Sequence, residues 1–364
     1  MKIIHVVGAR PNFVKIASIL RACEKTPEIQ SVLVHTGQHY TENMDHTFFE
    51  TLDIPVPDVN LEVGSGSHAQ QTVEIMKRFE PVVEKYSPDA VLVVGDVNST
   101  VACTLVAAKM GVKTIHVEAG LRSFDRAMPE EINRILTDAI SDILFVTEPS
   151  GVANLKREGI DGTKVHFVGN VMIDTLELYR EKAAKSSILD NLNLQAKQYA
   201  VVTLHRPSNV DQHEALAKIL DGLAEIQKEI TVVFPVHPRT FKSLATNGLM
   251  QRLEHLSNML LTKPLGYLDF LKLMSESSVV ITDSGGIQEE TTILGIPCLT
   301  VRENTERPIT IEKGTNEIVG TDLELINKYV DMILKSKYKK GQKIDKWDGK
   351  TAERIVNIIQ EKLF

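Results

Sequence analysis

Val279-Val280-Ile281-Thr282-Asp283-Ser284-Gly285-Gly286-Ile287-Gln288-Glu289-Glu290 reads as a short apolar strand, a turn with two glycines and the start of a helix. A run that is apolar throughout, rather than alternating, marks a strand covered on both faces, as in a parallel sheet. Residues 200–204, 231–235, 258–261 and 297–301 are runs of the same kind. Helical segments at 214–227, 267–276 and 286–294 separate them. An earlier set precedes these, with strands expected at 3–7, 31–36, 90–94, 113–117, 143–146 and 165–168. Helical patterns at 12–24, 69–86, 100–110, 129–139 and 149–158 lie between them. Strand–helix alternation carried through twice predicts an α/β chain of two Rossmann-like doubly wound domains facing a cleft. We place the boundary near 169–174, with 1–170 plus 351–364 as the first domain and 171–350 as the second. The segment 351–364 carries an apolar stripe, Ile355, Ile358, Ile359 and Leu363, suited to docking on a core. The lysine-rich run 335–350 reads as a solvated connector, with a basic patch as the alternative.

The length of 364 residues suits about two domains. Hydrophobic residues at 43% and charged residues at 24% give an ordinary globular balance that argues against disorder. A net charge of −7 offers no overall attraction to nucleic acid or to an anionic membrane. No stretch approaches the run of about 20 apolar residues that a membrane span needs. Residues 3–9 are too short and too polar for a signal peptide, with His5 inside and Arg10-Pro11 after them. Three cysteines without CxxC spacing fit a reducing compartment, so a cytoplasmic location is expected. The 11 histidines form no HExxH-type pair, so no catalytic metal is expected.

Several strand ends carry chemistry. At 282–290 the helix start offers unpaired N–H groups and a dipole that attract an anion, and glycines let a phosphate approach the backbone; a plain tight turn is the alternative. Glu290 lies one turn beyond Gly286, where a carboxylate can accept from ribose hydroxyls. Gly8-Ala9-Arg10-Pro11-Asn12-Phe13-Val14-Lys15 is another strand–turn–helix. It is not GxGxxG, so a bound nicotinamide cofactor is disfavoured and no cofactor is expected. Arg10 and Lys15 there are either phosphate ligands or a surface pair.

Asp96 follows an apolar strand and is either a helix N-cap or a cleft carboxylate; Ser99 and Thr100 stand nearer the helix and can cap it. Glu118 ends another buried strand, either paired with a cation such as Arg122 or catalytic. In Met128-Pro129-Glu130-Glu131-Ile132-Asn133-Arg134, proline opens a helix. There Arg134 can orient Glu130 across i,i+4, and Glu131 can bond back to the turn, which favours Glu130 for chemistry. His205, after residues 200–204, is either a satisfied structural histidine or part of the cleft. Arg302 and Arg307 either contact phosphate or form structural salt bridges.

Taken in order, GARPN…K, GQH, GD.NST, HVEAGLRS, MPEEINR, LHR, TDSGGIQEE and RENTERP resemble the non-hydrolysing UDP-N-acetylglucosamine 2-epimerases of bacteria and archaea, over positions 8 to 308. The resemblance implies a glycosyltransferase-B type fold in which the helix at 351–364 crosses back to the first domain. It implies acid/base carboxylates Asp96, Glu118 and Glu130 with Arg134 beside them, and His205 counted with the catalytic set at the UDP site. UDP would be held by Arg10, Lys15, Ser284, Gly285, Gly286, Glu290 and Arg307. A homodimer acting on a UDP-sugar, with neither nucleic acid nor membrane as partner, is implied too. The reaction would be anti elimination of UDP to 2-acetamidoglucal and syn re-addition. That route meets a physical need, because the C2 hydrogen of an N-acetylated sugar has no adjacent carbonyl to acidify it. Positive charge developing at C1 makes it removable.

Some bacterial members bind a second substrate molecule at an activating site. Its glutamine and arginine are absent from Gln38-His39-Tyr40-Thr41-Glu42-Asn43-Met44 and Gln70-Gln71-Thr72. The first stretch looks like relatives acting on UDP-2,3-diacetamido-2,3-dideoxyglucuronic acid, and like archaeal members using UDP-N-acetylglucosamine. The diacetamido relatives, a hydrolysing relative releasing UDP and N-acetylmannosamine, a glycosyltransferase and a nucleotide-sugar sensor are the alternatives.

Overall fold

The strands expected from apolar runs assemble into two parallel sheets. A computed structural model describes residues 1–38 and 51–363, and its contacts divide the chain into two compact units, Met1–Leu178 with Asp345–Phe364, and Tyr179–Ile344. Residues 39–50, with the His39–Met44 stretch, and the side chain of Arg10 lie outside what it describes.

The first unit contains β1 (Lys2–Val7), β2 (Gln30–His35), β3 (Val59–Asn60), β4 (Ala90–Val94), β5 (Lys113–Ala119), β6 (Ile143–Val146) and β7 (Val165–Phe167). All are parallel, in the order β3-β2-β1-β4-β5-β6-β7. Covering helices include Arg10–Glu24, His68–Tyr86, Asn98–Lys109, Pro129–Ile140 and Pro149–Arg157. Ile4, Val6, Val91 and Val93 of the central strands are buried against Ile75, Phe79, Ala102 and Val106 of the helices. Ile3, Val7, Leu92 and Val94, on the opposite face, are buried as well, and that two-sided covering explains the unbroken apolar runs.

The second unit repeats the plan with β8 (Tyr199–Thr203), β9 (Thr231–Pro235), β10 (Met259–Thr262), β11 (Val279–Thr282), β12 (Cys298–Thr300) and β13 (Asn316–Ile318). These too are parallel, in the order β10-β9-β8-β11-β12-β13. The sequence pattern did not show β3, β13, or the helices Pro238–Thr246 and Leu323–Leu334.

The units divide at 178/179 and 344/345, where the sequence reading put 170/171 and 350/351. The reason is local bonding. The helix Val171–Ala184 begins in the first unit, where Thr175 Oγ1 donates to the Val14 carbonyl at 2.7 Å. Asp174 accepts from the Ala352 N–H at 2.7 Å and so caps the helix Thr351–Leu363. The run 335–350 is exposed over most of its length, as expected of a solvated connector, but it is tied down at several points. Lys339 Nζ donates to the carbonyls of Ile311 and Asn316 and pairs with Glu317. Lys346 Nζ donates to the Phe167 carbonyl, and Trp347, 5% exposed, donates to the Thr147 carbonyl. Lys339, Lys346 and Trp347 are spent on backbone carbonyls, while Lys335, Lys337, Lys340, Lys343 and Lys350 are exposed.

Candidate active site

In the first unit, polar groups gather at the carboxyl ends of β1, β4 and β5. Asn12 fixes the β1 turn: its Oδ1 accepts from the Gly8 and Ala9 N–H groups at 3.0 Å each, and its Nδ2 donates to the Val94 carbonyl. One turn on, Lys15 is buried and ion-paired with Glu118. Glu118 therefore has Lys15, not Arg122, as its cation; Arg122 bonds Asp138 and Glu158. The phosphate role suggested for Lys15 has to accommodate that pair. Glu118 sits in the left-handed region, φ +76, where the β5–β6 register shifts between Val117 and Ala119. A non-glycine residue held there is strained, which marks functional sites more often than plain scaffold. Gly95, at φ +71, makes room alongside: a Cβ there would lie 3.0 Å from Lys15 Nζ and 3.7 Å from Glu118 Oε2.

Asp96 pairs with Arg134 at 2.5 Å, and its carbonyl accepts from Asn133 Nδ2 at 2.9 Å. Asp96 does not cap the next helix, but neither do Ser99 and Thr100: the cap position is Val97, with no side-chain bond. Ser99 Oγ instead bonds Gln38 and Thr36, and Thr100 donates to the Val94 carbonyl.

The two glutamates after Pro129 differ sharply. Glu131 is 1% exposed and accepts from the Ser123 and Phe124 N–H groups and from Arg134. Burial pushes its carboxyl up, but those bonds outweigh burial and hold it below the ordinary range. Arg134 is thus locked to Glu131 across i,i+3 and to Asp96; the expected i,i+4 pair with Glu130 does not form. Glu130 is half-buried and has no hydrogen-bond or ion-pair partner among the described residues.

In the second unit the corresponding strand ends are organised around Asp283. It is fully buried and accepts from the N–H groups of His205 and Arg206 and from Asn209 Nδ2, and it pairs with His205 Nδ1 at 2.8 Å. Burial raises its pKa, but the His205 hydrogen bond and charge and the backbone donors bring it below the ordinary value. His205 is thereby oriented with its side chain 41% exposed.

The helix Gly285–Leu294 starts after Ser284, and Gly286 occupies its second position. A Cβ on Gly285 would fall 2.5 Å from Arg307 Nη1 and 2.9 Å from Glu306 Oε1, so glycine is required for the arginine to lie across the helix start. Arg307 is buried and paired with Glu289 at 2.7 Å and Glu306 at 2.6 Å. Arg302 pairs with Glu306 at 2.8 Å, and Arg206 approaches it at 3.7 Å. Three arginines against two glutamates leave a cationic excess beside the helix N–H groups, an environment for an anion. Burial lowers the Arg302 pKa; Glu306 opposes the shift, and Arg206 and Arg307 add to it. Glu290 is buried and accepts from the Tyr267 hydroxyl at 3.0 Å. Burial, partly offset by that bond and reinforced by Glu289, raises its pKa to about 7.

A family model described as UDP-N-acetylglucosamine 2-epimerase matches residues 21–360. The chain is 44% identical over 364 residues to the UDP-N-acetylglucosamine 2-epimerase of Methanocaldococcus jannaschii, covering 99% of each. The chain belongs to the UDP-N-acetylglucosamine 2-epimerase family. A crystal structure of the M. jannaschii enzyme in complex with UDP-GlcNAc and UDP matches with a TM-score of 0.93 at 43% identity, covering 99% of this chain and 100% of that one. The two parallel sheets are accordingly those of the two-domain α/β, glycosyltransferase-B type fold of this family. A Pseudomonas aeruginosa relative, UDP-2,3-diacetamido-2,3-dideoxy-D-glucuronate 2-epimerase, is 40% identical over 330 residues, 90% of each chain. No helix among the described residues is long and apolar enough to cross a membrane, and no cluster of His, Cys, Asp or Glu suited to a metal occurs among them.

Sequence reasoning passed over Asp283, Asn209, Tyr267 and Asp138. Asp283 was legible: an acid directly after a buried strand needs several donors. Tyr267 and Asn209 lie far from their partners along the chain, and only the fold joins them.

Proposed function

We propose that this chain catalyses the reversible C2 epimerisation of UDP-N-acetylglucosamine to UDP-N-acetylmannosamine. The observation that carries the reading is the set of three carboxylates in three different settings: Asp96 paired with Arg134, Glu118 with Lys15, and Glu130 without a hydrogen-bond or ion-pair partner among the described residues. Removing a proton from one face of C2 and returning one to the other calls for groups in unlike states of charge balance. The near-full-length likeness to the M. jannaschii enzyme supports the same substrate.

In the forward half-reaction the anomeric C1–O bond breaks and UDP departs with the electron pair. A carboxylate takes the C2 proton, and the C–H electrons become the C1=C2 bond of 2-acetamidoglucal. Re-addition of UDP at C1 with proton delivery to the other face of C2 gives the manno epimer. Ser284, Gly285, Gly286 and Arg307 stabilise the departing diphosphate, His205 serves the leaving group and Glu290 holds the ribose. Arg10 and Lys15 are assigned to the substrate as well, Lys15 while charge-balancing Glu118. Arg134 positions Asp96.

We assign the active form as a homodimer located in the cytoplasm. Ile132 and Leu136, on the helix Pro129–Ile140, and Val73, on His68–Tyr86, stand exposed at 41%, 49% and 60%. Burying that apolar surface against a second copy would stabilise both. A Leu136→Lys variant should sediment as a monomer; an unchanged dimer places the interface elsewhere. The cysteines Cys23, Cys103 and Cys298 are unpaired and buried, which suits a reducing compartment.

The test is incubation with UDP-N-acetylglucosamine in deuterated water, followed at C2 by NMR. An equilibrium of two UDP-sugars carrying deuterium at C2 is expected. Exchange with the diacetamido uronate alone moves the assignment to the substrate of the P. aeruginosa relative. Stoichiometric free N-acetylmannosamine marks a hydrolase.

A further inference from the structure

His116 lies on β5 two residues before Glu118 and is completely buried. Its ring makes two bonds. Nδ1 is 2.7 Å from Asp138 Oδ1, and Nε2 is 2.8 Å from the Gly95 carbonyl oxygen. A carbonyl can only accept, so Nε2 carries a hydrogen. The other oxygen of Asp138 accepts from the Gly120 N–H at 3.0 Å and pairs with Arg122 at 2.8 Å. The Arg122 guanidinium and the Gly120 N–H on that oxygen make Asp138 a carboxylate. A carboxylate facing Nδ1 demands a second ring hydrogen. With both nitrogens donating, the ring is positively charged. The charges then alternate along His116, Asp138 and Arg122, and the exposed Glu158 closes the row at the surface.

The network holds two pieces of backbone. The Gly95 peptide is clamped by β5 from both sides: its N–H donates to the Val117 carbonyl at 3.1 Å, and its C=O accepts from His116. Asp96 is the next residue. Asp138 meanwhile grips β5 at His116 and at Gly120, two residues before and two after Glu118. Those grips span the register shift where Glu118 holds its left-handed conformation. One carboxylate on the helix Pro129–Ile140 therefore braces both strand ends. We infer that His116 is a buried imidazolium which, with Asp138, positions the carboxylates of Asp96 and Glu118 without touching substrate. The inference rests on the functional reading above for what those carboxylates do, but the charge of the ring stands on its own.

Two measurements test it. In the long-range proton–nitrogen spectrum of the whole enzyme labelled at histidine, recorded at neutral pH, His116 should show two protonated ring nitrogens. One nitrogen with a lone pair would overturn the inference. In His116→Gln and Asp138→Asn, kcat should fall by about 10²-fold, as expected for displaced catalytic groups, with KM changed by less than about threefold. The double variant should lose little more than either single one, because both act through one brace. UDP binding, read by calorimetry, should be unchanged in all three. If His116 only fills space, the variants will melt earlier while kcat per folded molecule stays at the wild-type value, and the inference fails. The spectrum reads the ring's charge whether or not the chain epimerises a nucleotide sugar, so the two readings can fail separately.

Discussion

The two sheets share a plan, β2-β1-β4-β5 in one unit and β9-β8-β11-β12 in the other, yet matching strand ends carry different groups. At the carboxyl ends of β4 and β5 stand Asp96 and Glu118; at those of β11 and β12 stand Asp283 and Arg302. The partners differ as well. Asp283 is satisfied largely by backbone and amide N–H groups, whereas side-chain cations balance Asp96 and Glu118. A carboxylate bound by fixed backbone donors is an anchor. One balanced by a lysine or arginine can exchange that partner for a reacting proton. With Asp283 used as an anchor, the arginines of the second unit remain in excess over Glu289 and Glu306. On the function proposed above, one chassis would serve proton chemistry in the first unit and anion binding in the second, through a few residues at strand ends.

The sharpest way to break this contrast is to remove chemistry from one unit and binding from the other. Glu118→Gln and Glu130→Gln should lower kcat by about 10²–10⁴-fold, the range for general acid–base groups. UDP affinity should stay within about threefold of wild type. Equal losses in both would erase the division of labour. Gly285→Ala, whose new Cβ would collide with Arg307, should do the reverse. It should weaken UDP binding by about tenfold or more, as expected for about 1.4 kcal/mol or more of lost interaction. An unchanged Kd would mean that the arginine across the helix start does not contact the anion.

Glu290 sharpens the comparison further. Its folded pKa of about 7 lies above the ordinary 4.5. Its contribution to stability is therefore complete below pH 4.5 and is lost as the pH rises through 7. Ribose hydroxyls donating to this carboxylate would favour its ionised form. Binding of UDP at pH 6 should then release up to about one proton, and almost none above pH 8. Calorimetry in two buffers of different ionisation heat reads this, and Glu290→Gln should abolish the release. Proton uptake would contradict the ribose role.

The smallest effect concerns strain. Glu118→Gly and Glu118→Gln both leave Lys15 without its carboxylate, but only glycine relieves the left-handed backbone. The glycine variant should be the more stable in urea by about 1 kcal/mol. Equal stabilities would mean that φ +76 carries no cost at this bulge.

Much of this was legible in the chain. Apolar runs located eleven of the strands that the two sheets contain, because two-sided burial leaves little room for polar residues. The strands β3 and β13 escaped since two or three residues cannot display a period, and β13 reads Asn-Glu-Ile. Leu323–Leu334 carried a readable stripe, Leu323, Ile326, Val330 and Ile333, that went unused. At the site, strand-end position singled out Asp96, Glu118 and His205, but partners could not be read. Lys15 meets Glu118 only because β1 lies beside β4, and β4 beside β5. One overlooked signal was local. The helix Pro129–Ile140 buries Glu131, Asn133, Arg134, Thr137 and Asp138 and exposes Ile132 and Leu136. Polar residues at i, i+3 and i+7 with apolar ones outside invert the ordinary pattern. In this chain that inversion marks the helix that braces the carboxylates.

The central claim is that cleavage of the anomeric C–O bond is what frees the C2 hydrogen. UDP-N-acetylglucosamine labelled with oxygen-18 in the sugar–phosphate bridge, incubated with enzyme in deuterated water, tests it most directly. The account predicts that label moves from the bridge to non-bridging positions of the β-phosphate as deuterium enters C2. Epimerised product carrying deuterium at C2 with all label still in the bridge would contradict it.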